Sequence, residues 1–265
     1  MDSIRTDIAW SAPDSITVLG RDFPSEILGH VSFGDMAFLE ITRRLPNANE
    51  SRMFNAMLVT LVEHGLTPST IAARLTYLGA PEAMQAAVAA GLSGLGSVFV
   101  GSVEGTAQML YEAMPAPDAN ADLPALADAI LRKFTEAKRI LPGIGHPFHK
   151  PIDPRTPRLI EIANETGFAG PYVALVLATA AAAERKKGKS LPVNATGILG
   201  ALCCEMAFDW RVCRGIGVMA RAVGLVGHIM EEARNPIAQQ IWMQAERAAT
   251  DHFREPHPPL PDPAA

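Results

Sequence analysis

A chain of 265 residues, 48% hydrophobic and 19% charged, is long enough for one large core or two modest ones. Its 28 acidic against 23 basic residues leave a net charge of −5, with the basic residues scattered, so neither nucleic acid nor a membrane surface is expected as a partner. Cys203, Cys204 and Cys213 lack paired C-x-x-C spacing, which excludes a zinc or dithiol motif and reads as buried free thiols in a reducing cytoplasm.

The opening MDSIRTDIAW has no basic segment followed by an apolar one, so no secretory leader is expected. Residues 5 to 20 read as two short extended pieces, DIAW and SITVL, around a Pro-Asp-Ser turn. Beyond them apolar residues recur with helical spacing at 33–45, 51–64, 68–78, 80–90, 105–114, 122–139, 157–166, 170–187, 193–207, 210–231 and 235–253. Alternation typical of strands is nearly absent, so the expected fold is all-α with a short extended N-terminal segment.

Local signals support several boundaries. Pro68, Pro81 and Pro171 suit first helical turns, Asp122 suits an N-cap, and Lys186-Lys187-Gly188 suits a C-terminus with cations at the negative end of the dipole. The run ALVLATAAAA at 174–183 is about half of the roughly 20 apolar residues that a membrane span needs. The stretch GLSGLGSVFVGSVEG, 91–105, has dinucleotide-like glycine spacing but no preceding strand, so it reads as a hinge or a close helix contact. The tail PHPPLPDPAA reads as a surface end.

The segment GIGHPFHKPIDPR, 143–155, concentrates polar groups where a helix has just stopped. His146 and His149 are too few ligands for a metal site, and none is expected. Glycines let a ligand approach the backbone, while His146, Lys150 and Arg155 offer a titratable donor and two anion binders.

Four pieces of the chain, taken in order, resemble the citrate synthase superfamily, and the short length resembles its citryl-CoA lyase branch. They are VEHGLTPSTIAAR, the glycine-rich hinge, G-I-G-H with its D-P-R, and MARAVGLVGH. The resemblance implies a citrate-synthase-like large helical domain, 1–105 with 207–265, and a smaller CoA-binding helical domain, 106–206. It implies that His64 and His146 bond the carboxylate and the oxygen at the reacting carbon, and that Arg155 and Arg221 grip carboxylates. Arginine suits those positions because its planar fork pairs bidentately with a carboxylate. Lys150 would meet the CoA phosphates, and the backbone of Leu141, Gly143, Ile144 and Gly145 would line the adenine pocket. Arg234 is a candidate to reach a partner's site in a homodimer.

Two departures from the family pattern affect the chemistry. Val100 stands where condensing members place a histidine, and Thr196, in LPVNATG, stands where the family commonly has the aspartate that exchanges the α-carbon proton. A hydroxyl is a poor acid or base near neutral pH. Glu104 is the candidate replacement; it also suits the first turn of a helix starting near Gly105. Asp209 is expected to be structural, His228 to pack or cap, and His30, His149, His252 and His257 have no assigned role.

The expected activity is C–C cleavage of a 3-hydroxy-3-carboxyacyl-CoA to an acyl-CoA and a 2-oxo acid, or a related aldol or Claisen reaction with another acyl group. CoA enters as part of the substrate, with no permanently bound cofactor. The competing readings are a CoA- or polycarboxylate-binding homologue without turnover, and a helical interaction module. The expected setting is cytoplasmic.

Overall fold

Residues 4–146 and 148–254 are described by a computed structural model. The expected extended start is a three-stranded antiparallel meander, β1 (Ala9–Ala12), β2 (Ser15–Val18) and β3 (Arg21–Asp22). Ala9 pairs with Val18 and Ala12 with Ser15, so the turn falls on Pro13-Asp14. A single π-helical turn, Phe23–Ile27, follows, capped where Ser25 N donates to Asp22. The predicted tail 256–265 lies outside the described residues.

Among the described residues the later elements are helices, as expected: α1 (Phe33–Thr42), α2 (Ala48–Val62), α3 (Pro68–Gly79), α4 (Met84–Ser93), α5 (Gly101–Ala113), α6 (Leu123–Glu136), α7 (Arg155–Thr166), α8 (Pro171–Lys187), α9 (Ala195–Glu205), α10 (Trp210–Arg234) and α11 (Ala238–Thr250). Pro68 and Pro171 occupy first turns, Asp122 caps α6 by accepting from Ala125 N, and Gly188 closes α8 at φ +61°. Pro81 does not open α4; it sits in the turn before it, and the helix begins at Met84 without a side-chain cap. α2 starts three residues earlier than its apolar pattern, because Asn47 and Glu50 form a reciprocal capping box. α5 likewise starts at Gly101 rather than near Gly105, which leaves Glu104 in its first turn.

The chain packs as two compact units, Met1–Glu63 with Gly96–Ala220, and His64–Leu95 with Arg221–Ala265. One junction falls inside the glycine-rich hinge and another inside α10. The boundaries expected at 105/106 and 206/207 do not coincide with these junctions.

In the first unit α5 packs on α9, and α8 on both α6 and α9. Gly200 permits the α5–α9 approach, since a Cβ there would lie 2.7 Å from the Val103 carbonyl oxygen. Phe38, Phe54 and Phe208 meet edge to face at 5.4 to 5.7 Å. Glu205 caps α8 by accepting from the N–H of Tyr172 and Val173; burial raises its pKa against the pull of those bonds. Cys203, Cys204 and Cys213 are buried free thiols. In the second unit α3 packs on α4 and on α11.

α10 is long and apolar enough to cross a bilayer by length and composition alone. Its buried positions include the charged Arg221 and Glu232.

Candidate active site

The first unit carries His146, Arg155, Thr196, Glu104, Lys150 and the Leu141–Gly145 backbone. The loop that begins at Gly143 is tied to the segment before α9. Gly145 N donates to Pro192 O at 2.7 Å, Asn194 N to Gly143 O at 3.0 Å, and Asn194 Nδ2 to Gly145 O at 2.7 Å. Gly143, at φ +73°, has no room for a side chain, because a Cβ would run into Gly197 and Thr106. Ile144 is buried beside Val193, and Leu141 packs against the core.

This anchoring fixes the chemistry of His146. Its Nδ1 accepts from the backbone N–H of Phe148 at 3.1 Å and of His149 at 3.0 Å. A nitrogen accepting two N–H bonds has no proton of its own, so the neutral ring carries its proton on Nε2 and presents a donor. Such a group stabilises charge developing on an oxygen and cannot take a proton at that nitrogen. The His149 ring lies 4.3 Å from the His146 ring, and Lys150 is exposed.

Asp153, fully buried, anchors the other end of the loop. Its carboxylate receives Arg155 Nε at 3.0 Å and Nη2 at 2.8 Å, the Arg155 N–H at 3.1 Å and the Ala195 N–H at 2.9 Å. Burial pushes the Asp153 carboxyl up, and the guanidinium and backbone bonds outweigh it, holding the pKa at about 2. With Nε and Nη2 so engaged, Arg155 Nη1 meets no acceptor among the described residues. Asp153 therefore fixes the orientation of the guanidinium.

Thr196 lies in the first turn of α9, whose N-cap is Asn194. Its hydroxyl donates to Asn194 Oδ1 at 2.6 Å and accepts from Ser102 Oγ at 2.8 Å. Two hydroxyls and an amide thus occupy this corner. Glu104 is paired with Arg214, Nε to Oε2 at 2.5 Å, close in distance but without the angle of a hydrogen bond. Val100 is buried, and a Cβ at Gly217 would run into it. Asp209 accepts from Arg211 N at 2.9 Å at the start of α10.

The second unit carries His64, Arg221 and Arg234. His64 begins the loop into α3, where Thr70 donates to Gly65 O at 3.2 Å. Arg221 is buried at 6% exposure, and Arg234 lies at the exposed end of α10. His228 Nδ1 lies 2.9 Å from Arg74 Nη2, so this ring is held by packing partners. Ser102, Asn194 and the anchoring role of Asp153 escaped the sequence reading. An N-cap signature in N-A-T-G was visible; the bond from Ser102 spans 94 residues and has no local signal.

The family model for the citrate synthase C-terminal domain matches residues 30–242. The chain is similar to the citryl-CoA lyase from Hydrogenobacter thermophilus, with 30% identity, 98% of each chain covered and a TM-score of 0.80. It also shares the fold of the ATP citrate lyase from Methanothrix soehngenii, solved with citrate and coenzyme A, at 18% identity and TM-score 0.71 over 100% of this chain and 43% of that one. The citrate synthase of Heyndrickxia coagulans is 24% identical over 84% of this chain and 58% of its own length, so the chain spans little more than half of that relative. With a family model covering most of its length and a full-length structural relative, the chain belongs to the citrate synthase family.

Proposed function

We propose that the chain is a carbon–carbon lyase of the citryl-CoA lyase type, cleaving a 3-hydroxy-3-carboxyacyl-CoA to an acyl-CoA and a 2-oxo acid. The observation that carries this reading is a single loop that presents His146 as an Nε2–H donor and Arg155 as a guanidinium aimed by Asp153. In the reaction the hydroxyl loses its proton and becomes the carbonyl of the 2-oxo acid. The C–C bond breaks with its electron pair going to the thioester α-carbon, and protonation of that enolate releases acyl-CoA. His146 donates to the oxygen on which charge develops, His64 to a neighbouring carboxylate, and Arg155 and Arg221 hold the carboxylates. Lys150 meets the CoA phosphates beside the Leu141–Gly145 backbone, and the domain of 106–206 closes over CoA to exclude water. CoA is substrate rather than resident cofactor.

At the α-carbon, Thr196 and Ser102 offer hydroxyls, and Glu104 is the remaining candidate to move the proton. Its pairing with Arg214 has to loosen first. The thioester substrate is therefore one whose acyl group suits a hydroxyl-lined corner. A second reading, a binding homologue without turnover, is favoured by the engagement of the Thr196 hydroxyl with Asn194.

A homodimer packed on α10 is part of the proposal, supported by Val223, Val226 and Met230, which are 51%, 40% and 40% exposed. Arg234 would then reach the partner's site. A cytoplasmic setting suits three buried free thiols.

The test is incubation of the full chain with a panel of 3-hydroxy-3-carboxyacyl-CoA thioesters, followed by mass spectrometry. Depletion of one thioester with equimolar appearance of acyl-CoA and a 2-oxo acid is expected. Tight binding of CoA and citrate with no thioester depleted establishes the second reading instead.

A further inference from the structure

Within the second unit, the buried charges gather around one residue that the proposed chemistry does not use. Arg74, on α3, is 1% exposed. It donates from Nη1 to Glu232 Oε2 at 2.7 Å, contacts His228 Nδ1 through Nη2 at 2.9 Å, and pairs with Glu231. Glu232, 4% exposed, turns its other oxygen to the start of α11, accepting from Ile237 N at 2.9 Å and Ala238 N at 2.8 Å. One guanidinium thereby ties α3, α10 and the entry to α11.

The positions held on α10 form a stripe. Arg221, Leu225, His228 and Glu232 follow one another at intervals of four, three and four residues, which places them on one face of a helix. Leu225 lies so close to α4 that a Cβ on Gly91 would fall 2.7 Å from its Cδ1. The stripe is therefore seated against α4 at Leu225 and against α3 at His228 and Glu232, where Arg74 locks its polar end. Rotation of α10 about its axis would carry Arg221 away by the same angle, since Arg221 is only about 10 Å along the axis from His228 at roughly 1.5 Å per residue. Arg74 also lies one turn beyond Thr70, whose hydroxyl holds Gly65 O in the loop that carries His64.

We propose that Arg74 is a positioning residue. By clamping His228 and Glu232 it fixes the azimuth of α10 and the seat of α3, and so aims Arg221 and the His64 loop at the carboxylate end of the substrate. The proposal rests on the reading of Arg221 as a carboxylate ligand.

Its consequence is selective by ligand. Lysine at this position keeps the charge but supplies one compact ammonium in place of a fork, so it cannot hold His228 and Glu232 together. In the full chain, Arg74→Lys is expected to weaken citrate binding at least tenfold by calorimetry while CoA affinity stays within about twofold. With the thioester substrate the loss falls on KM more than on kcat. Should Arg74→Lys fail to fold, Glu232→Gln, which keeps an oxygen for the α11 cap, carries the same expectation. Citrate affinity unchanged in a folded clamp variant, with Arg221→Ala having lost it, overturns the positioning role. Equal loss of citrate and CoA affinity overturns it too, because a merely structural residue would act on both. Retention of citrate affinity in Arg221→Ala strikes the reading of Arg221 itself, and the proposal falls with it.

Discussion

Replacing Asp153 by alanine is expected to lower the unfolding free energy by about 3 kcal/mol, the lower end of what removing one member of a buried ion pair costs. The buried carboxylate meets four donors, and its loss strands the Ala195 N–H in a buried position at the start of α9. The Arg155 side chain is 26% exposed, so its charge regains some solvation, which keeps the figure from being larger. Acid adds a second readout. The folded pKa of about 2 lies below the usual aspartate value of about 3.9, so this carboxylate contributes stability above pH 4 that is lost as pH falls toward 2. Linkage puts that contribution on the order of 2 kcal/mol. Urea denaturation at pH 7, 4 and 2 checks both parts. Asp153→Asn should flatten the acid limb of the wild-type curve, and an unchanged limb would remove Asp153 as the anchor of this loop.

The second large effect concerns ligand. Arg221→Ala is expected to weaken binding of citrate or oxaloacetate by about 2 to 4 kcal/mol, the range for losing one partner of a buried charged hydrogen bond. That corresponds to roughly 30- to 1,000-fold in affinity. Lys150→Ala should instead weaken CoA and its thioesters and leave the free acids alone. The physical difference is burial: Arg221 is 6% exposed, whereas Lys150 lies at the surface, where a single ammonium would meet a phosphate under solvent screening. Calorimetry of both variants against both ligands, with folding verified by circular dichroism, separates the roles. Equal effects on both ligands would contradict the division of labour.

The residues themselves explain how far the sequence could be read. Helix starts were legible where a residue acts on its own backbone: Pro68 and Pro171 in first turns, Asp122 as a cap, Gly188 in the left-handed region. The start of α2 was equally local, in the Asn47 and Glu50 pair, but apolar periodicity alone placed it late. Gly101 opens α5 without any such signal, because the start is set by packing: a Cβ there would lie 2.8 Å from Gly96 O. The polar loop stood out by composition, and its family pattern named His146 and Arg155. Composition says nothing of the tautomer of His146, which depends on two backbone N–H groups of its own turn. The clamp at Arg74 was invisible, since its partners lie more than 150 residues away in sequence and a charged residue in a helix ordinarily reads as surface.

As proposed, the chain keeps the family's grip on a carboxylate and a CoA thioester while its proton handling at the α-carbon has changed, with Thr196 and Ser102 in place of a carboxylate. Steady-state cleavage of citryl-CoA by the wild type and by Thr196→Asp tests this most directly, with citrate and CoA affinities measured alongside. Aspartate in the first turn of α9 is favoured in its ionised form by the helix dipole and can exchange a proton that a hydroxyl cannot. Wild-type turnover of citryl-CoA is expected below about 1 per second, under the usual enzymatic range, with an increase of at least about tenfold in Thr196→Asp. Wild-type turnover of citryl-CoA well within the usual range of about 1 to 1,000 per second would contradict it.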